Sequence, residues 1–265
     1  MPDYARVCER AARIGGEVLL SYRDKFQVRE KGPADLVTEA DLASQAAIRE
    51  CLLASFPDHD FLGEEDDPAA AQRSESDFTW IVDPLDGTTN YVHGLENYSV
   101  SVALQQRAGT GTKIIEGAIY DPVRDHCFRA TLGGGAYCND TKLQVSEVKE
   151  LNKALIAASL PAKIARDSSE ICRFVDIMLS CQAIRRLGSA ALNLCYVAAG
   201  QLDGYWATSV KQWDVAAGLL LVAEAGGQVS HISGKTLDLE DPKFVATGSK
   251  ELHRQMIEVL TLHND

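Results

Sequence analysis

The sequence predicts a mixed α/β protein, with a mainly antiparallel sheet in its first half and a smaller second sheet, alternating with helices, in its second. Two observations carry this. Short β-type runs follow one another without intervening helices at Phe61-Leu62, Trp80 to Val82, Ser99 to Leu104, Lys113 to Tyr120 and His126 to Ala130. Strands joined so closely pair antiparallel. After about Ser146, helical patterns alternate with short strands, which is the texture of an α/β unit. That change divides the chain into residues 1–146 and 147–265.

The elements follow in order. From Tyr4 to about Lys25, apolar Val7, Ala11, Ile14, Val18, Leu19 and Tyr22 recur at helical spacing. Lys31, Gly32 and Pro33 break that pattern, and a second helix is expected from Asp41 to Phe56, ahead of Pro57. The acidic, Ala-rich stretch Glu65 to Asp77 reads as an exposed loop, and Thr110 to Thr112 and Gly133 to Gly135 read as turns. In the second half, helices are expected over Ser168 to Leu179, Ser189 to Ala199, Trp213 to Ala225 and Ser249 to Leu262. Strands are expected near Leu155 to Ala158, Gln182 to Ile184, Gly204 to Trp206, Gln228 to Ser230 and Phe244 to Ala246.

Composition narrows the function. With 265 residues, 46% hydrophobic and 24% charged, the chain has the make-up of a folded globular protein. Its 26 Lys and Arg against 38 Asp and Glu give a net charge of −12, which argues against a broad grip on nucleic-acid phosphates. An anionic substrate would need a local device, and surplus carboxylates suggest a hard divalent cation. Seven Cys with no CxxC point to neither a disulfide framework nor a structural zinc site. The opening MPDYARVCER has no basic segment followed by an apolar stretch, and no apolar run approaches a membrane span. The expectation is a cytoplasmic protein with no membrane and no nucleic-acid partner.

The informative segment is WIVDPLDGTTNYVHG, Trp80 to Gly94, where an apolar strand runs into two Asp three apart. Asp83 and Asp86 leave the strand end together, Pro84 fixes the backbone between them, and Gly87 permits a tight approach. Thr88, Thr89 and Asn90 then resemble a helix start, so an anion cradle would lie beside a cation site. Asp-Gly by itself is only a turn signal. The D-x-x-D spacing also differs from the D-x-D of phosphatases that form an aspartyl-phosphate. Among the six His, only His93 lies in this motif, where ordering the loop suits it better than catalysis; there is no HExxH, nucleophile elbow, P-loop or GxGxxG.

Together with DLVTEAD, GEE and WDVAAG, this string resembles the inositol monophosphatase family of magnesium-dependent small-molecule phosphatases; the four motifs span Asp35 to Gly218. The resemblance implies a layered αβαβα sugar-phosphatase fold, a homodimer, two or three Mg2+ ions, and hydrolysis of a small phosphate monoester by a metal-activated water. It implies that Glu64, Asp83 and the Leu85 carbonyl hold one magnesium, and that Asp83, Asp86 and Asp214 hold another. Asp41 and Thr88 would position the nucleophile, so that Asp41, Glu64 and Thr88 form the catalytic set. The phosphate would rest on the N–H groups of Gly87 and Thr88, with Asp86, Asp214, Gly188, Ser189 and Ala190 contributing to the substrate site. Lys31 matches a loop Lys of the family near the metals. Each residue also has a plainer reading: GEEDD as an acidic loop, Thr38 and Asp41 as a helix start, Asp214 as a helix cap, Gly188-Ser189-Ala190 as another helix start, and Lys31 as a solvated side chain.

One position departs from the pattern. Inositol phosphatases carry Glu seven positions before the WDVAAG aspartate, where it binds ring hydroxyls, and this chain has Ala207. A methyl group accepts no hydrogen bond, so the preferred substrate need not be an inositol phosphate. Histidinol phosphate, fructose bisphosphate and 3'-phosphoadenosine nucleotides are alternatives within the family. A non-catalytic, metal-binding interaction module is the alternative of a different class.

Overall fold

Helix α1 (Tyr4–Tyr22) starts at Asp3, whose carboxylate accepts from the Arg6 N–H, and helix α2 (Glu39–Ser55) starts at Thr38. The computed structural model describes residues 3–23, 25, 28–32, 35–66, 76–109 and 111–263. Between the two helices, β1 (Val28–Gly32) pairs antiparallel with β2 (Asp35–Thr38). Lys31 and Gly32, expected to break the chain, therefore end a strand of a hairpin. Pro33 and the side chain of Lys31 lie outside the described residues.

Seven strands form the first sheet in the order in which they leave the chain: β3 (Asp60–Gly63), β4 (Phe78–Asp86), β5 (Ser99–Ala108), β6 (Gly111–Asp121), β7 (His126–Thr131), β8 (Gly135–Cys138) and β9 (Thr141–Lys142). Every neighbouring pair is antiparallel except β3 with β4, which run parallel. A single turn of helix, α3 (Thr88–Val92), follows β4.

The second half supplies β10 (Leu155–Ser159), α4 (Ser169–Ser180), β11 (Ala183–Arg185), α5 (Ala190–Ala198), β12 (Gly204–Ala207), α6 (Gln212–Glu224), β13 (Gln228–His231), β14 (Phe244–Thr247) and α7 (Lys250–Leu260). Its five strands are ordered β11-β10-β12-β14-β13, the first three parallel and the last two antiparallel additions.

Three apolar clusters stack these elements into five layers. The first holds α1 and α2 against Trp80, Val82, Val100, Val102 and Leu104 of the large sheet. The second fills the middle: α5 and α6 meet Ile81, Ala103 and Ile119 on one side and Tyr205, Ala207, Phe244 and Ala246 on the other. In the third, Ile177 of α4 and Leu252, Met256 and Leu260 of α7 cover Ile156, Trp206 and Val245. Strand alternation produces this division, because Trp80 and Val82 face one layer while Ile81 faces the next. The order is thus αβαβα. Among the described residues no helix is long and apolar enough to cross a membrane.

The second sheet contains a reversal that positions the site. From β10 the chain passes through α4 to β11 on one side, then returns through α5 to β12 on the other. The two helices cover opposite faces, α4 in the outer cluster and α5 in the middle one. A crevice therefore opens at the C-terminal ends of β10 and β12, the place where open α/β sheets hold ligands.

Candidate active site

Two Asp three apart on a regular strand would point to opposite faces. Here the ladder shifts: Asp83 is level with Ser101 and Asp86 with Ser99, so Pro84 and Leu85 together oppose Val100. This is a β-bulge, and one extra residue returns both carboxylates to the same side. Ser44 Oγ donates to the Pro84 carbonyl (3.0 Å), tying the bulge to α2. The D-P-L-D motif is thus a bent strand end held from behind.

The other carboxylates arrive from three directions. Glu64 follows β3, and its N–H donates to the Val82 carbonyl at 3.1 Å, so it sits beside Asp83 at the end of the one parallel pair in the sheet. Gly63, just before it, packs so closely on Gln45 that a side chain would collide. Asp214 stands in the first turn of α6, its Oδ2 accepting the Lys211 N–H at 2.7 Å. Ser101, the ladder partner of Asp83, donates to the Trp213 carbonyl at 3.2 Å and fastens the start of α6 to the large sheet. Asp41 is fully buried in the first turn of α2, where Oδ2 accepts from the Thr38 N–H (2.9 Å) and from the Thr38 hydroxyl.

Burial and mutual repulsion raise the pH needed to ionise this group. Asp83 is held well above the usual carboxylate range by burial and then by the charges of Glu64, Asp86 and Asp214. Burial lifts Asp86 to about 6 even though Ser189, Ala190 and Ala191 donate to it. Asp214 stands at about 7, from burial and then the charge on Asp86. Asp41 stands at about 6, from burial opposed by the Thr38 donors. Glu64, Asp86 and Asp214, whose charges all act on the buried Asp83, call for a counter-charge.

Their chemistry suits a hard cation: the side-chain donors are all oxygen, and the Leu85 carbonyl lies beside them. Among the described residues, no three His, Cys, Asp or Glu form a ready-made ligand group. The oxygens also accept from local donors: Asp83 Oδ1 from the Leu85 N–H (3.0 Å), Asp214 from the Lys211 N–H, and Asp86 from the start of α5.

Thr88 opens α3 with its hydroxyl between two acceptors, the Leu85 carbonyl at 3.1 Å and Asp41 Oδ1 at 3.4 Å. One proton serves one acceptor at a time, and the shorter contact is to Leu85. Gly87 precedes it with φ +94°, in close approach to the carbonyls of Asn97 and Gly188. Asn90 of α3 donates to the Asn97 carbonyl (2.7 Å) and the Leu187 carbonyl (2.8 Å), locking this turn to the residues before Gly188. His93 is exposed at the end of α3, where its backbone closes the helix.

The Gly188-Ser189-Ala190 segment does something the motif alone does not reveal. Ser189 Oγ donates to Asp86 Oδ2, the Ala190 N–H to Oδ1 (3.0 Å) and the Ala191 N–H to Oδ2 (2.9 Å). Asp86 of the first half therefore caps a helix of the second, about 100 residues away. Sequence spacing carries no signal for that pairing, nor for the Ser44 and Ser101 contacts.

The chain matches the inositol monophosphatase family model over residues 3–264. It belongs to that family. Among similar members, the Nus factor SuhB of Pasteurella multocida is 42% identical over 254 residues, covering 94% of this chain and 93% of that protein. The inositol-1-monophosphatase of Mesorhizobium japonicum is 39% identical over 236 residues, 89% of this chain and 86% of the relative. The crystal structure of the extragenic suppressor protein suhB from Bartonella henselae superimposes with a TM-score of 0.88 at 35% identity, covering 98% of both chains. At the position of the usual Glu in this family, Ala207 is fully buried at the end of β12, level with Ser159 of β10 and Phe244 of β14.

Proposed function

We propose that this member of the inositol monophosphatase family is a phosphomonoesterase acting on a small polyol or sugar-like phosphate, with Mg2+ as its metal and a homodimer as its assembly. The observation that carries the reading is the gathering of Glu64, Asp83, Asp86 and Asp214 at one place, where their charges act on Asp83, beside a Thr88 hydroxyl that reaches toward Asp41. When bound, magnesium would neutralise the phosphate and the leaving oxygen and acidify water.

The chain's own residues have separate tasks. Glu64, Asp83, the Leu85 carbonyl, Asp86 and Asp214 would hold the ions. Thr88 and Asp41 would orient the attacking water and take its proton, a role open to Asp41 because burial has already raised its proton affinity. The backbone at Gly87 and Thr88 would face the phosphate. Gly188, Ser189 and Ala190 would border the alcohol side, with Ser189 and Ala190 also steadying Asp86.

Phosphate release should require magnesium, stop with chelator, and rank inositol monophosphates, glycerol phosphate, histidinol phosphate, fructose bisphosphate and 3'-phosphoadenosine phosphate by kcat/KM. Silence on every ester from folded, magnesium-binding protein would overturn the reading. It would favour the second one, a metal-binding interaction module, which the Nus factor name of the Pasteurella relative brings forward. Against that second reading stands the completeness of Asp41, Glu64, Asp83, Asp86, Thr88 and Asp214.

A further inference from the structure

Ala207 leaves the end of β12 without a carboxylate, and the residues around it form a polar group of a different kind. Tyr205 and Ala207 lie on the face of β12 that packs against α5, while Trp206 points to the opposite cluster. Ser159, level with Ala207 at the end of β10, shares that face. Its Oγ and the Tyr205 hydroxyl are 2.8 Å apart. Behind them stands Asn193 of α5, fully buried, with both side-chain polar atoms lacking a hydrogen-bond partner. Its amide faces the Tyr205 hydroxyl without closing a full hydrogen bond. A buried amide in that condition is costly unless it serves a purpose.

The group adjoins the site. Asn193 lies one turn beyond Ser189, and its N–H donates to the Ser189 carbonyl at 3.2 Å. Ser189 in turn holds Asp86. The charges of Asp86 and Asp214 reach Tyr205 and, with burial, keep its phenol protonated. Of the three polar residues, only Ser159 is partly exposed.

One assignment of the protons gives Asn193 Oδ1 its donor. Tyr205 has one to donate, and Asn193 Oδ1 is an acceptor without a donor. If Tyr205 donates there, its oxygen is left to accept from Ser159, and both lone pairs of the partly exposed Ser159 hydroxyl stay free to accept. We propose that Ser159 accepts a hydrogen bond from a hydroxyl of the leaving group, with Tyr205 and Asn193 as positioning residues, so that a neutral oxygen on β10 replaces the carboxylate absent at residue 207. The inference rests on the phosphomonoesterase reading above. It assigns the substrate class as a neutral polyol phosphate whose hydroxyl meets a hydroxyl rather than a charge.

The test compares the best hydroxylated ester of the panel with cyclohexyl phosphate, which has a ring and no hydroxyl. Ser159→Ala should lower the ratio of the two kcat/KM values by about threefold to tenfold, the range of one neutral hydrogen bond. Tyr205→Phe, which keeps the ring, should lower it less, and should lower it no further once Ser159 is Ala, because Tyr205 acts through Ser159. A ratio unchanged in Ser159→Ala, or additive effects of the two substitutions, overturns the proposal. If the parent enzyme cleaves cyclohexyl phosphate but no hydroxylated ester better, the phosphatase reading stands and this inference fails. If it cleaves neither, both fail.

Discussion

The large sheet and the small sheet meet at the same crevice with different equipment. From the large sheet come Asp83 and Asp86 on a bulged strand and Glu64 at the end of its parallel neighbour, all fixed by ladder hydrogen bonds. From the small sheet come the ends of parallel strands, a helix start and neutral groups: Ser159, Tyr205 and Asn193. Charge is thus built where the backbone is most tightly determined, and neutral contacts lie where loops leave a sheet. The difference suggests a division of labour, the first region setting the rate for any ester and the second ranking one ester against another. Asp214, at the start of α6, is the exception that joins the two.

The sharpest way to break this comparison is Asp83→Asn. Asp83 is buried among three other carboxylates, so the change disturbs every ion the site would hold. Turnover should fall by about a thousandfold or more, beyond the loss of a single electrostatic contact, and by the same factor for each ester. Steady-state kinetics on two unlike esters would check it; a loss confined to one of them would mean that the large sheet also selects.

A smaller effect is expected at the seam. Ser189 sits in the second half, yet its hydroxyl holds Asp86 of the first. Ser189→Ala removes a support rather than a ligand, and such supports are worth about tenfold to a hundredfold. We expect the loss in kcat, with circular dichroism unchanged and ester ranking preserved. A changed ranking with kcat intact would instead place Ser189 among the substrate contacts, as its motif suggests, and would sharpen the boundary between the regions.

Much of this was legible in the sequence because it is local. Apolar periodicity located α1, α2 and the helices of the second half to within a few residues, and the family motifs named the carboxylates. The pairing of β1 with β2 is not legible in the sequence, because Lys31 and Gly32 read as a break, whereas they end one strand of an antiparallel pair. The parallel pairing of β3 with β4 was missed because the chain between them carries no helical crossover signal. Contacts that bridge distant segments were beyond reach: Ser189 with Asp86, Ser101 with Trp213, and Ser159 with Tyr205 each join residues at least 46 apart. Asp83 and Asp86 were expected to leave the strand together, but the reason lies in a register shift against β5 that only pairing reveals.

The smallest effect is thermodynamic and tests whether the carboxylates of the site are balanced by a cation. In metal-free protein, Asp86 and Asp41 stand at about 6, Asp214 at about 7, and Asp83 well above its ordinary value. All four are raised relative to an unfolded chain, so between about pH 4 and 7 the folded state binds more protons. Their contribution to stability is therefore present at low pH and is lost as pH rises through the folded values. Magnesium should replace those protons and restore stability where they have left. Calorimetry should show a larger magnesium-induced rise in Tm at pH 7.5 than at pH 5, equivalent to about 2.7 kcal/mol where the ion is at a hundred times its Kd. Equal shifts at both pH values would mean that the carboxylates of the site do not exchange protons for the ion.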